Sequence, residues 1–225
     1  MSRAAMDGII LVDKPRGWSS FDVIRHLRKK LGVRKMGHAG TLDPMATGLL
    51  IVGIGPGTKR LAEFLNLPKT YRMAVLLGKR TDTGDLEGRV LEERAVGRVE
   101  RSRVEETIAG MVGEIELPIP MYSAVKHKGR PLYSYARQGI RVEPKIRKTL
   151  IHRLALHGIS REPEGAVLDV EMEAGKGTYA RAVAEEIGRR LGVPATLAGL
   201  RRTKIGDMDV SKAQTPDAVP YPDDH

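Results

Sequence analysis

The glycine-rich segment Gly37–Leu50, GHAGTLDPMATGLL, limits the fold of this chain more than any other stretch of its sequence. Its three glycines allow strained turns and let a bulky ligand approach the backbone closely. The segment holds one carboxylate, Asp43, and runs directly into the apolar residues 49–52. This order suits a carboxylate that a rigid strand or helix presents to a substrate. On the local pattern alone, however, the favoured interpretation is a helix N-cap at Asp43 with Pro44 as the first helical residue.

Length and composition restrict the class of protein. The 225 residues fit one large domain or two small ones, and they contain no cysteine, which excludes disulfides and thiolate metal sites. The first apolar run, residues 8–12, is too short for a signal peptide, and no run approaches the roughly 18 apolar residues of a membrane span. The sequence therefore predicts a soluble, cytoplasmic protein. Its 38 Lys and Arg against 28 Asp and Glu give a net charge of +10, which indicates a polyanionic partner.

The basic residues form two clusters. Residues 14–35 contain eight Lys or Arg and one acid, and residues 126–148 again contain eight and one. Solvated helix faces are the alternative interpretation, and a membrane surface is the competing anion. The 137–148 stretch has too little apolar bulk for an amphipathic membrane helix. Contacts with nucleic-acid phosphates fit the two clusters better.

Periodicity predicts a mixed α+β sheet with hairpins. Strands are expected at 8–12, 71–77, 88–93 and 166–174, with residues 79–87 as a polar loop between the second and third. A helix should begin at a capping box of Ser19 and Asp22 and end at Gly32. Two further helices are expected, over 104–112 and 183–191.

Two segments do not follow the periodic pattern. Residues 119–148 combine paired tyrosines, many cations and no sustained period, so they are expected to form an insertion, helical near 133–138, that projects from the sheet. Residues 213–225 are short and, from Thr215, rich in Pro and Asp. They are expected to form a disordered tail.

The segment around Asp43 resembles the catalytic motif of the TruB family of bacterial tRNA pseudouridine-55 synthases. Further segments resemble that family in the same order along residues 8–212. They are Lys14-Pro15, Lys69-Thr70-Tyr71-Arg72, Arg80-Thr81-Asp82-Thr83, Met121 to Lys126, Lys176 to Arg181, and Leu200-Arg201-Arg202.

The resemblance implies a catalytic domain over 8–212 with a mainly antiparallel sheet, flanking helices and a basic thumb at 119–148 that closes on tRNA. It implies isomerisation of uridine 55 in the T-loop by base flipping, with no metal and no cofactor. The partner would be the T-arm stem-loop of tRNA, bound by a monomer. Family members generally continue into a C-terminal RNA-binding domain of the PUA type, which this sequence is expected to lack.

The resemblance also implies roles for individual residues. Asp43 would be the catalytic carboxylate, by attack on the base, attack on the ribose, or proton abstraction; the sequence leaves these routes open. Arg181 would pair with Asp43, and Tyr71 would stack on the flipped uracil. The remaining expected roles are the apolar pocket wall (Leu200), the side chain that fills the gap left by the flipped base (His38), support of the catalytic loop (Lys14 and Pro15) and RNA contacts of the thumb (Lys126, Arg141, Lys145 and Arg147).

Other functions are less consistent with the sequence. The scattered histidines show no metal-ligand spacing, and a glycosidase needs two carboxylates where residues 37–48 offer one. A guide-RNA-dependent synthase, which is a relative with the same chemistry, normally lacks an extended thumb. A non-catalytic RNA-binding protein that uses the same basic surface is the alternative from another class, and it would not need Asp43, Tyr71 and Arg181 together.

Overall fold

The computed structural model describes residues 8–140, 142–163 and 165–220. Its strands are β1 Gly8–Lys14, β2 Met36–Ala39, β3 Thr47–Ile54, β4 Lys69–Leu77, β5 Lys79–Thr81, β6 Val90–Glu93, β7 Gly113–Pro118, β8 Lys126–His127, β9 Arg130–Pro131, β10 Ile146–Glu162, β11 Gly165–Ala174, β12 Ala195–Ile205 and β13 Met208–Asp209. Its helices are α1 Ser20–Leu31, α2 Leu61–Leu65, α3 Arg101–Ala109, α4 Leu132–Ala136 and α5 Ala180–Leu191, and two 3-10 turns cover Gly55–Arg60 and Val210–Lys212. These elements form two compact units: unit 1 is the described part of residues 1–72 and 200–225, and unit 2 is that of 73–199.

The sheet of unit 1 is built around β3. Strand β1 pairs with it antiparallel along its whole length, from Gly8 opposite Ile54 to Lys14 opposite Gly48. Strand β2 also pairs with β3 antiparallel, whereas β12 pairs with the start of β3 in parallel. The residues that enter and leave the 40–46 loop are therefore fixed by strand pairing.

Strand β3 is buried on both faces, as its continuous apolar run requires. Leu50 and Val52 pack in one cluster with the apolar face of α1, and Leu49 and Ile51 pack in another with Phe64. The alternation along the strand assigns successive side chains to opposite faces.

Helix α1 begins and ends where the sequence predicts. The Ser19 hydroxyl accepts from the Asp22 amide at 3.1 Å, and an Asp22 carboxylate oxygen accepts from the Ser19 amide at 2.8 Å. Gly32 ends the helix with a φ of 68°. The capping box and the glycine stop are confirmed.

Unit 2 contains a sheet in the order β12–β4–β11–β10–β7. Strands β10 and β11 form a long antiparallel hairpin, and β7 pairs antiparallel with the start of β10. Every second residue of β11 from Ala166 to Ala174 is buried, as its period-two pattern predicts. Helices α3 and α5 confirm the two remaining helix predictions, and the fold is mixed α+β with a mainly antiparallel sheet.

Three sequence-based expectations need correction. The 79–87 loop contains strand β5, and the following strand β6 pairs with β5 in a separate two-stranded sheet. The expected insertion ends early, because residues 146–148 already pair with β7. The expectation of a disordered tail over 213–225 is wrong for residues 213–220: Gln214 pairs with Val12, and Val219 is buried in the core against α1. Residues 221–225 lie outside the described residues. Across the described residues, no helix is long and apolar enough to cross a membrane.

Candidate active site

Asp43 lies in the loop between β2 and β3 of unit 1. Its side chain is half-buried, and its carbonyl accepts from the Ala46 amide at 3.0 Å. Pro44 and Met45 form a turn rather than a helix. The interpretation of Asp43 as a helix N-cap is therefore wrong, because the chain turns directly into β3.

Lys14 connects the end of β1 to this loop. Its side chain is fully buried, and its ammonium donates to the carbonyls of Pro15 at 3.0 Å, of Trp18, and of Pro44 at 3.4 Å. A buried cation is tolerated only where such partners replace water. Lys14 therefore contacts the residue that follows Asp43, and it is too deeply buried to contact an RNA phosphate.

Arg202 is a central residue of unit 1 to which the sequence analysis assigned no role. It is 1% exposed, and its guanidinium donates to the Leu49 carbonyl at 2.7 Å and to the Gly40 carbonyl at 3.1 Å. One guanidinium thus connects the glycine-rich loop to the start of β3. Burial lowers the pKa of Arg202, and the interaction with Tyr71 opposes this.

Gly48 makes this arrangement possible. It has a φ of +104°, and a Cβ built on it would lie 2.2 Å from the Arg202 carbonyl oxygen. Real Cβ atoms do not approach a backbone oxygen so closely. Only glycine therefore allows β3 to start this close to β12.

His38 lies on β2, half-buried, with its backbone paired to Val52. Burial lowers its pKa, the charge of Arg202 lowers it further, and a hydrogen bond to the Gly40 backbone opposes the shift. The imidazole is therefore neutral at pH 7. Its buried Nδ1 has no hydrogen-bond partner in the described part of the chain. Leu200, at the start of the unit 1 part of β12, is half-buried.

Arg181 belongs to unit 2, on the first turn of α5. Its guanidinium donates to the Thr83 carbonyl at 2.8 Å and the Tyr122 carbonyl at 2.9 Å, and its Nε lies 3.9 Å from Asp85 Oδ2. The Arg181 and Asp85 side chains are only 6% and 8% exposed. Asp85 is a buried partner of Arg181 that the sequence did not indicate, because its place after the Arg80–Thr83 segment gives no sign of burial. The pairing of Arg181 with Asp43 remains a prediction.

Glu185 follows one helical turn after Arg181. Burial raises the pKa of its carboxyl, while the charges of Arg80 and Arg181 partly oppose that rise. A half-buried carboxyl with a raised pKa destabilises the native state at neutral pH, because its ionisation is less favourable in the native state than in the unfolded chain.

The expected thumb residues differ in their surroundings. Lys126 and Lys145 are exposed, as RNA contacts require. Arg147, in contrast, lies over the Tyr179 ring at 5.9 Å and donates to the Gly177 carbonyl at 3.5 Å. It therefore supports the loop that leads to Arg181. Arg141 lies outside the described residues.

Comparison with known proteins identifies the same family along most of the chain. The family model described as TruB family pseudouridylate synthase (N terminal domain) matches residues 28–180. A curated tRNA pseudouridine synthase B of Azoarcus sp. (strain BH72) is 44% identical over 217 residues, which are 96% of this chain and 71% of that protein. Another, of Aromatoleum aromaticum, is 45% identical over 213 residues, which are 95% of this chain and 68% of the relative.

Solved structures agree on the fold. A chain of a Cbf5–Nop10–Gar1 complex superposes with a TM-score of 0.67 at 26% identity, over 89% of this chain. A chain of an archaeal box H/ACA sRNP Nop10–Cbf5 complex also gives 0.67, at 24% identity over 93% of this chain. The present chain spans about half the length of either.

Proposed function

Because this chain belongs to the TruB family of pseudouridylate synthases, we propose that it isomerises uridine 55 in the T-loop of tRNA to pseudouridine. The observation that carries this proposal is Asp43 itself. It is the only carboxylate in the 40–46 loop, which is held by strand pairing on both sides and by the buried guanidinium of Arg202. The curated relatives of this chain are tRNA pseudouridine synthases.

In the proposed reaction, the bond between ribose C1′ and uracil N1 breaks, the base rotates, and C1′ bonds to C5. The C5 proton is lost and N1 gains one, so the product is an isomer. Asp43 acts on the base or on the sugar, and a positioned, half-buried carboxylate suits either role. Tyr71 provides a flat ring for stacking.

The other site residues act on binding and orientation. His38 fills the space of the extruded base, and its neutral state lowers the cost of entering a base stack. Leu200 provides apolar surface for the uracil. Arg181 has three partners within unit 2, and its pairing with the Asp43 carboxylate is part of the proposal.

RNA binding is assigned to the exposed cations of residues 119–148, with Lys126 and Lys145 as the clearest contacts. The T-arm stem-loop is the proposed minimal substrate, because sequence-specific RNA recognition favours loops whose bases can be splayed out. We assign the protein to the cytoplasm, where it acts on tRNA as a monomer.

Incubation with unmodified tRNA, followed by mapping of pseudouridine, tests the proposal. Asp43→Asn should abolish turnover and leave tRNA affinity within about a few-fold, because the loss falls on the transition state. The exposed Asp207→Asn is the matched control and should turn over normally. Wild-type protein that binds tRNA without forming pseudouridine would favour the RNA-binding alternative. An active Asp43→Asn would reject this residue as the catalytic group.

A further inference from the structure

One short segment, residues 14–20, binds the backbone on both sides of Asp43. On the near side, the Leu42 amide donates to the Ser20 hydroxyl at 2.9 Å, and that hydroxyl donates to the Leu42 carbonyl at 3.3 Å. This carbonyl belongs to the peptide bond that leads into Asp43. A single side chain therefore fixes the two peptide groups that precede the carboxylate.

On the far side, the Pro44 carbonyl accepts from the Gly17 amide at 2.8 Å and from the Lys14 ammonium at 3.4 Å. Asp43 is thus held between two anchored peptide groups, and both anchors come from residues 14–20, which run from the last residue of β1 to the first residue of α1. The Asp43 side chain remains half-exposed between them.

The two adjacent serines of this segment have different partners. Ser19 is the N-cap of α1, and its hydroxyl and amide bond to Asp22 within the helix. Ser20 is 1% exposed, and its hydroxyl bonds to Leu42, 22 residues away. Helix formation at this point requires the first serine. It does not require a hydroxyl at the second.

We infer that Ser20 is a positioning residue for Asp43, and this inference rests on the proposed function of the loop. Its buried hydroxyl holds the peptide before the carboxylate in one geometry, so that the carboxylate meets the flipped nucleotide without first having to be ordered. A displacement of about 1 Å in a reacting group can lower a rate by about 100-fold. Loss of the hydroxyl should therefore slow turnover and leave tRNA binding, which depends on other surfaces, nearly unchanged.

The test measures single-turnover rates as tritium release from tRNA labelled at uridine C5, together with tRNA affinity, in three variants. Ser20→Ala should be about 10- to 100-fold slower with affinity within about twofold. Ser19→Ala weakens the helix cap without touching Leu42, so its rate should stay within about twofold of the wild type even though its melting temperature falls. Ser20→Thr keeps the hydroxyl and should recover most of the rate. If Ser20→Ala does not fold, Ser20→Cys provides the same test with a weak hydrogen-bonding group of similar size.

Amide hydrogen exchange separates a local effect on the Leu42 peptide from a loss of overall stability. The Leu42 amide should exchange slowly in the wild type and in Ser19→Ala, and faster in Ser20→Ala under conditions where core amides stay protected. Equal rate losses in Ser19→Ala and Ser20→Ala would overturn the inference in favour of a purely structural role. Weakened tRNA binding at an unchanged rate would also overturn it. A wild-type protein that forms no pseudouridine would instead reject the proposed function.

Discussion

Replacement of Gly48 by alanine should be among the most damaging single-methyl changes in unit 1. The residue has a φ of +104°, and its new Cβ would lie 2.2 Å from the Arg202 carbonyl oxygen and 2.8 Å from the Arg202 nitrogen. A left-handed backbone costs a non-glycine residue about 1–2 kcal/mol. Nonbonded atoms attract at about 3.5 Å, so β3 and β12 must separate by more than about 1 Å, and such overpacking costs about 1–3 kcal/mol.

Gly48→Ala should therefore lower the free energy of unfolding by about 2–5 kcal/mol, measured by urea denaturation. The matched control is Gly32→Ala at the end of α1. Gly32 also has a positive φ, of +68°, but a Cβ there would have no atom within 4 Å. The free energy of unfolding of the control should fall only by the cost of the left-handed backbone, about 1–2 kcal/mol.

The difference between the two variants isolates the close approach of the strands. Because Gly48 lies in β3 directly after the loop that holds Asp43, folded Gly48→Ala should also turn over about 100-fold more slowly, whereas Gly32→Ala should retain its rate. Equal losses of stability in both variants would refute the reasoning, since the approach of β3 to β12 would then impose no constraint of its own.

Three further results are expected. Arg181→Lys should fold but lose most single-turnover activity, because an ammonium cannot reproduce the planar guanidinium that reaches three partners. Near-normal turnover of this variant would contradict the proposed role of Arg181. Lys126→Ala with Lys145→Ala should weaken tRNA binding and reduce the salt slope by about two, one for each contact, while the exposed Lys212→Ala leaves both unchanged; an unaltered slope would show that these lysines do not meet phosphates. The pKa of Glu185 is raised in the native state. At pH values just above 4.5, the ordinary pKa of this carboxyl, the native state therefore binds more protons than the unfolded chain. The native state therefore loses stability as the pH rises from 4.5 through the raised pKa of Glu185. Glu185→Gln should raise the melting temperature at pH 7 and not at pH 4. An equal increase in melting temperature at both pH values would exclude ionisation as the cause.

Local rules explain the parts of the fold that the sequence predicts well. The start and end of α1 follow from Ser19, Asp22 and Gly32, which act within a few residues of themselves. The alternation of β11 shows directly in its sequence because one face is buried and the other is not. Asp43 was found through a resemblance, since the local pattern alone favoured a helix cap that the structure does not contain.

The missed features depend on partners that are distant in the sequence. Arg202 is a basic residue in a basic chain, and only the meeting of β12 with the 40–49 backbone buries it. Asp85 lies in a polar loop, and its burial follows from contacts with Thr83 and with the start of β12. Val219 is a single apolar residue among Pro and Asp, so no period marks it as part of the core.

The two buried lysines of unit 1 have a consequence for chemical labelling. Lys14 is 0% exposed, and Lys69 is 7% exposed, with its ammonium donating to the carbonyls of Phe64, Leu65 and Leu67. An amine that is enclosed in this way and donates to three carbonyls cannot attack an acylating reagent until its surroundings open. The rate at which these two lysines are acylated, measured by mass spectrometry, therefore reports the rate at which the interior of unit 1 opens. Surface amines such as that of Lys145, which react in the folded state, provide the internal standard.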